Sequence, residues 1–424
     1  MRLWLIPMIY VGASVALGLA LPRVEQTFLP SLTVGLSVAS AQAFLSAAAS
    51  GMMAITGVVF ALAFVMVQFS AVAYSPRLVS WFARDPLLYH SLGAFSATFI
   101  YSLCTLAWID RGGSGSVPLL SAILVGTLLV ASMLLFAVLV QRLTNLQITD
   151  VLHLIGDRGR DVIRSMFRPL DAPPPVERKN SLEAGDQARL APTTQVITYS
   201  GPPRTIAQLD TDALVRHGRE GGALIEMVSA VGDTLVEGSV VLRVRGGKDL
   251  ITERRLMRAV HLGRERTFEQ DPKYPIRLLV DIAIKALSPA INDPTTAVQA
   301  IDQIEDLLRR LGRRELDIGL SRDADGAVRL VIPMPTWEDY LALAFDEIRQ
   351  FGASSIQVMR RLRAALTGLM DSTPIPERAQ AVRHYLEHLN LVVEHSELDA
   401  ADKAAALQED RQGLGLTARR TETS

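Results

Sequence analysis

The chain has 424 residues, 43 basic and 44 acidic side chains and 49% hydrophobic residues, with a mean hydropathy of +0.24. Before Arg142 the only charged side chains are Arg2, Arg23, Glu25, Arg77, Arg84, Asp85, Asp110 and Arg111, so the first third reads as lipid-embedded and the rest as soluble. This excludes a wholly soluble enzyme, a disordered chain and a disulfide scaffold (Cys104 is the one cysteine), and with no excess of Lys and Arg no nucleic-acid partner is expected.

A helix rises ~1.5 Å per residue, so about 20 apolar residues cross ~30 Å of hydrocarbon. Four stretches qualify: residues 3–21, 51–73, about 87–108 and 117–140. The second lies in a charge-free run, 26–76, that is too long for one span. Residues 31–50 are rich in Ala and Ser with no turn signal at their end, and read as a helical lead-in, or a partly wet helix, feeding that span. Residues 3–21 follow Arg2 as in a signal peptide, but the apolar run is long and the region around Leu19-Ala20-Leu21-Pro22 is a poor cleavage site, so they read as a span. With four spans, Arg2, Arg77, Arg84, Arg142, Arg158 and Arg160 share one side and only Arg23 and Arg111 face the other. The positive-inside rule then makes both termini cytoplasmic.

The spans contain no Asp, Glu, Lys or Arg, which weakens the proton-pump and secondary-transporter readings. The second offers small residues instead. Ser46, Ser50 and Ala54 recur every four residues, with Gly51 beside them, Gly57 and Ala61 further on, and Gln68 near the cytoplasmic end. Small residues at this spacing let helix backbones approach closely. The pattern reads either as helix packing or as the pore-lining face of a homo-oligomer.

Residues 143–194 form a helical extension, about 144–167, and a tether around Pro173-Pro174-Pro175. Residues 195–411 read as an α+β domain. Short β-branched runs at 195–199, 223–228 and 239–244 predict strands, with Gly232 and Gly238 in tight turns. The segment Val231-Gly232-Asp233 to Gly238 resembles the half-motif of biotinyl and lipoyl-type barrels but lacks their attachment lysine, so no prosthetic group is expected. A strand at 327–332 precedes helices near 336–350, 354–369, 376–394 and 399–408, and the tail 412–424 reads as disordered. His384 and His388, with His395 further on, stand at a spacing able to chelate a metal. The order His384-Tyr385-Leu386-Glu387-His388 is not that of zinc proteases, and a solvated or packed face is the default.

The strongest local signal lies at 271–308. Asp271-Pro272 and Asp293-Pro294 each read as an N-cap followed by proline at the first helical position. Leu278, Leu279, Ile282, Ala283 and Leu287 give the first helix an apolar face, and Ser288-Pro289 stops it. The run 279–297, with Asp281, Lys285 and Ser288-Pro289-Ala290-Ile291-Asn292-Asp293-Pro294-Thr295-Thr296, resembles the hallmark of a bacterial family of predicted membrane proteins, domain of unknown function 2254. Tyr74-Ser75-Pro76-Arg77 agrees with it, as does Val331-Ile332-Pro333 followed by Thr336-Trp337-Glu338-Asp339-Tyr340. The resemblance runs over residues 1–395 and departs at the short first outer loop. It implies a four-span protein of the bacterial inner membrane with a cytoplasmic C-terminal region, and it carries no activity and no cofactor.

The hallmark's polar groups, Asp281, Lys285, Ser288, Asn292, Asp293, Thr295 and Thr296, read as the internal network of a capped helix-turn-helix or as a ligand or partner site. Asp281 and Lys285 stand four apart and can pair on one helix face. The second helix start offers N–H groups to an anion, against the charge of Asp293. No set of nucleophile, base and orienting group is visible, so no enzyme is expected. The fold expected is an α-helical membrane domain of four transmembrane helices, residues 1–142, plus a cytoplasmic α+β domain with a small β unit and a helical C-terminal part. Its function reads as an oligomeric gated pore with a cytoplasmic sensing domain, or as a membrane-anchored sensor or scaffold without conduction.

Overall fold

The computed structural model describes residues 3–28, 37–73, 86–109, 117–144, 148–172, 191–247 and 249–414. The motif Tyr74-Ser75-Pro76-Arg77, the start of the lead-in, the proline-rich part of the tether and the end of the tail lie outside these residues. The chain divides into two compact units, Met1–Gln147 and Ile148–Ser424.

The first unit holds four helices long and apolar enough to cross a membrane. They are α1 (Leu5–Phe28), α2 (Val38–Ala73), α3 (Pro86–Leu106) and α4 (Leu119–Thr144). α3 is the hub and packs against the other three. α1 crosses it at Gly18, where a Cβ would lie 2.5 Å from that of Cys104. Some hydroxyls that enter the bundle find partners there, which hydrocarbon would not supply: Ser14 Oγ donates to the Ala97 carbonyl at 2.6 Å, and Thr98 Oγ1 meets Ser132 Oγ at 3.1 Å.

Two helices differ from expectation. α1 does not stop at Leu21 but runs through Pro22 to Phe28. The extension carries Glu25 to the start of α4, where its buried carboxylate accepts the N–H groups of Leu120 at 2.8 Å and Ser121 at 3.3 Å. It thereby satisfies donors that a helix start leaves free. The apolar span of α2 is Val38–Val65 rather than 51–73. Ala41, Leu45 and Ala48 pack against Tyr101, Ile109 and Val125, so one face of the described part of the lead-in belongs to the bundle core.

The second unit opens with α5 (Ile148–Met166), whose Val151, Leu152, Ile155, Val162 and Ile163 form one buried face. That face lies on α8 (Lys273–Ala286) and α9 (Pro294–Gly312), and Arg160 pairs with Asp306 of α9 at 2.8 Å. Residues 168–170, expected to begin a tether, pair with 313–315 instead. Leu170 N–H donates to the Arg313 carbonyl and Glu315 N–H to that of Arg168, while the Arg314 guanidinium holds the Phe167 carbonyl at 2.8 Å.

The sheet portion comprises β1 (Thr193–Thr198), β2 (Arg204–Leu209), α6 (Thr211–Glu220), β3 (Ala223–Met227), β4 (Thr234–Leu235), β5 (Val240–Gly246), α7 (Glu253–Arg258) and β6 (Val260–Gly263). With β7 (Leu320–Arg322) and β8 (Val328–Val331) they make a five-stranded sheet ordered β1-β5-β3-β8-β7 and a three-stranded sheet ordered β4-β2-β6. Among the described strand pairs only β3 and β8 run parallel. Ile197, Ile206, Leu214, Ile225, Leu235 and Val241 fill a common core. Gly232 at φ +90° and Gly238 at φ +81° make the tight turns on either side of β4.

α8 carries Ile276, Leu279, Val280, Ile282 and Ala283 into the helical core. Around it stand α9 and α10 (Trp337–Phe351), followed by α11 (Ile356–Ser372), α12 (Pro376–Glu394) and α13 (Ala400–Ala406). α10 starts at a capping box of Thr336 and Asp339. Arg361 of α11, almost wholly buried, reaches Asp302 at 2.6 Å and Glu305 at 2.5 Å on α9.

Candidate functional site

The hallmark residues gather at the turn between α8 and α9. Asn292 takes the left-handed backbone at φ +48°, which asparagine tolerates better than most residues. The Ile291 and Asn292 N–H groups donate to the Ser288 carbonyl, and that of Asp293 to Ala286 at 2.8 Å. Asp293 is the N-cap of α9: its carboxylate accepts the Thr296 N–H at 3.1 Å and the Thr296 hydroxyl at 2.5 Å. The Ser288 hydroxyl donates to the Lys285 carbonyl at 2.7 Å. Asp281, expected to face Lys285, is held by Arg277 at 2.5 Å. The same guanidinium forks onto Glu347 of α10 at 2.5 and 2.8 Å. The bonds from Glu347, then Asp281, outweigh burial and hold the Arg277 pKa above its ordinary value, while burial lowers that of Lys285. Asn292 and Thr295 face outward. The chemistry of this constellation is that of a fixed turn. Its carboxylate sits on the α9 donors an anion would use.

The α2 residues form a second constellation, in the other unit. At 100° per residue, Ser46, Ser50, Ala54, Gly57, Ala61 and Gln68 lie along one stripe, and all are exposed. The buried Ala41, Leu45, Ala48, Met52 and Val59 lie on the opposite side of the helix. Gly51 stands beside the stripe, and a Cβ added there or at Gly57 would meet nothing within 4 Å. An open groove of about 440 Å³ runs between the Ser46–Ser50–Ala54 face and Phe99 and Leu103 of α3.

His384 is exposed on α12, and the Arg349 guanidinium donates to His388 Nε2 at 2.9 Å, setting a cation where a metal would bind. Among the described residues, no group of three or more His, Cys, Asp or Glu is placed to hold a metal ion.

One titratable site escaped the sequence reading. Asp271, expected as an N-cap, is 1% exposed, and α8 begins two residues beyond it. One carboxylate oxygen accepts the Lys273 N–H at 3.2 Å. The other has no hydrogen-bond partner; it lies under Gly232, with Arg266 Nη1 at 3.9 Å. Burial raises the Asp271 pKa above the ordinary carboxylate value. The Tyr340 hydroxyl, also buried without a hydrogen-bond partner, has its pKa raised by burial and then by the charge of Asp271. An Asp-Pro pair announces a helix start and says nothing about what will cover it.

The chain is similar over 434 aligned residues to uncharacterised proteins of Mycobacterium tuberculosis (strains CDC 1551 and H37Rv) and Mycobacterium bovis. Each is 27% identical, and the match covers 99% of this chain and 80% of the relative. No solved structure matches. The family described as predicted membrane protein (DUF2254) matches residues 1–368, most of the chain, including both the apolar helices and the α8–α9 turn. The protein belongs to this DUF2254 family of predicted membrane proteins.

Proposed function

We propose that the protein is an oligomeric membrane pore of the bacterial inner membrane, in which the α2 stripes of neighbouring copies line a gated path and the second unit is a cytoplasmic sensing domain. One observation carries this reading. The small and polar residues of α2 lie opposite its packed face and are exposed, and a Cβ added at Gly51 or Gly57 would meet nothing within 4 Å among the described residues. Gln68 continues the stripe just beyond the apolar span Val38–Val65, where a shared path would open to water. Side chains this small also let helices approach closely. The cytoplasmic side follows from the arginines flanking the spans. An anchored sensor without conduction is the second reading, favoured by a partly open cavity in the second unit.

Single cysteines placed from Ser46 to Gln68 on a Cys104→Ser background test the pore. They should react with a membrane-impermeant thiol reagent about every 3.6 residues, along the stripe. Gly57→Leu should reduce ion flux through reconstituted liposomes. An absence of labelling across the apolar zone, together with no flux of ions or small solutes, would leave the anchored sensor.

A further inference from the structure

The cavity in the second unit has a volume of about 400 Å³, within the range of small-molecule sites and enough for about a dozen water-sized groups. Its walls come from the end of α5, the β2–α6 junction, the turn after β3, the start of α8 and the segment after β8. Most lining groups are apolar, among them Met166, Leu209, Val231 and Met334. Lys273 is the one ionisable side chain among the described lining residues. Its ammonium donates to the Val231 carbonyl at 3.3 Å, and an ammonium has three donors, so two remain for a ligand.

The Lys273 ammonium also feels the carboxylate of Asp271 two residues before it, a charge that Asp271 shares with Arg266 Nη1 at 3.9 Å and that burial weakens by favouring the neutral acid. The wall beside Lys273 is also held in place. Gln270 adopts φ +56°, which costs an L residue ~1–2 kcal/mol. Its side-chain amide spans Leu209, accepting that residue's N–H at 2.9 Å and donating to its carbonyl at 3.1 Å. Strain of this kind, fixed by its surroundings, gathers at binding sites.

We propose that this cavity binds a small organic monoanion, with its carboxylate on Lys273 Nζ and its apolar body against Met166, Leu209, Val231 and Met334. A bare inorganic anion would leave those apolar walls uncovered, and an uncharged molecule would leave the ammonium's two remaining donors without a charged acceptor. The proposal supplies a ligand class to the sensing unit inferred above and stands whether or not the assembled copies conduct.

The test uses the full chain in lipid nanodiscs, with titration calorimetry of phenylacetate, of phenylacetamide and of inorganic phosphate against empty discs. Phenylacetate should bind saturably with Kd at or below ~1 mM. The amide should bind about tenfold more weakly or worse, since a charge-assisted hydrogen bond is lost. Lys273→Met should weaken phenylacetate at least about tenfold, Lys273→Arg should keep it, and Ala230→Phe should abolish it by filling the cavity. No saturable phenylacetate binding, equal affinity for acid and amide, phosphate binding as tightly as phenylacetate, or an unchanged Kd in Lys273→Met would each overturn the proposal. If circular dichroism shows Lys273→Met to be unfolded, the ratio of acid to amide on the natural protein decides. Flux measurements report on the pore alone, so the two readings fail separately.

Discussion

Gly232 and Gly238 flank the same two-residue strand with nearly the same backbone, yet alanine should not cost the same at both. At Gly238, φ is +81° and a Cβ meets nothing within 4 Å, so only conformational strain is added. That is ~1–2 kcal/mol. At Gly232, φ is +90° and a Cβ would lie 2.4 Å from Asp271 Oδ2. The carboxylate must move, which loosens its bond to the Lys273 N–H and adds ~1–2 kcal/mol. Gly238→Ala should therefore cost ~1–2 and Gly232→Ala ~2–4 kcal/mol. For a unit of this size each kcal/mol shifts Tm by about 2 °C, which gives drops of about 2–4 and 4–8 °C. Trp337, buried in the second unit, is the natural reporter once Trp4, Trp81 and Trp108 are replaced by Phe. Asp271→Ala added to Gly232→Ala should recover part of the loss, because the clash disappears with the carboxylate. Equal drops at the two glycines, or strict additivity with Asp271→Ala, would refute the reasoning.

Asp293→Ala removes the cap on Thr296 and should cost ~1 kcal/mol in urea denaturation, with Asp293→Asn costing less. The soluble piece for this measurement begins at Ile148, since a fragment starting at Thr193 lacks α5 and bares the faces of α8 and α9, and should melt lower. Burial raises the Asp271 pKa in the folded state, so its favourable contribution is complete below the unfolded value of ~3.9 and is lost as pH rises through the folded value. Asp271→Asn should accordingly gain in Tm on the natural protein between about pH 4 and pH 8; a constant difference across that window would contradict the raised pKa. A reporter fused after Ser424 should read cytoplasmic and one inserted near Gly113 should read the opposite side, and a matching signal at the two sites would break the four-span orientation.

What the sequence disclosed depended on how local the signal was. The apolar runs, the Asp293-Pro294 cap and the helices α10 to α12 rest on neighbouring residues, and each was legible. β2, β4, β6, α6 and α7 were not, being short elements whose order comes from partners far along the chain, as when Thr205 pairs with both Thr234 and Gly263. The ends of α1 and the span of α2 were misplaced for the same reason. Pro22 reads as a stop until Glu25 is seen capping α4, and an Ala- and Ser-rich lead-in reads as wet until Tyr101 and Val125 are seen covering it. The hallmark's residue types were plain, but their partners were not. Arg277, whose guanidinium joins Asp281 to Glu347, lies just outside the motif. Lys273 and Asp271 carried no signal beyond an Asp-Pro pair, because cavity and burial are made by the turn at Ala230 and Val231, some forty residues earlier.

α2 is 36 residues long with no proline or break. At ~1.5 Å per residue it is a stiff rod of about 54 Å. Such a rod is a lever. A rocking of ~5° about its middle carries each end ~2 Å while the centre hardly moves. The midpoint falls at Ile55 and Thr56, beside Gly57, so the narrowest side chain sits at the fulcrum, where a neighbouring helix can roll against it without being pushed away. Motion imposed at either end would be felt at the other with its direction reversed.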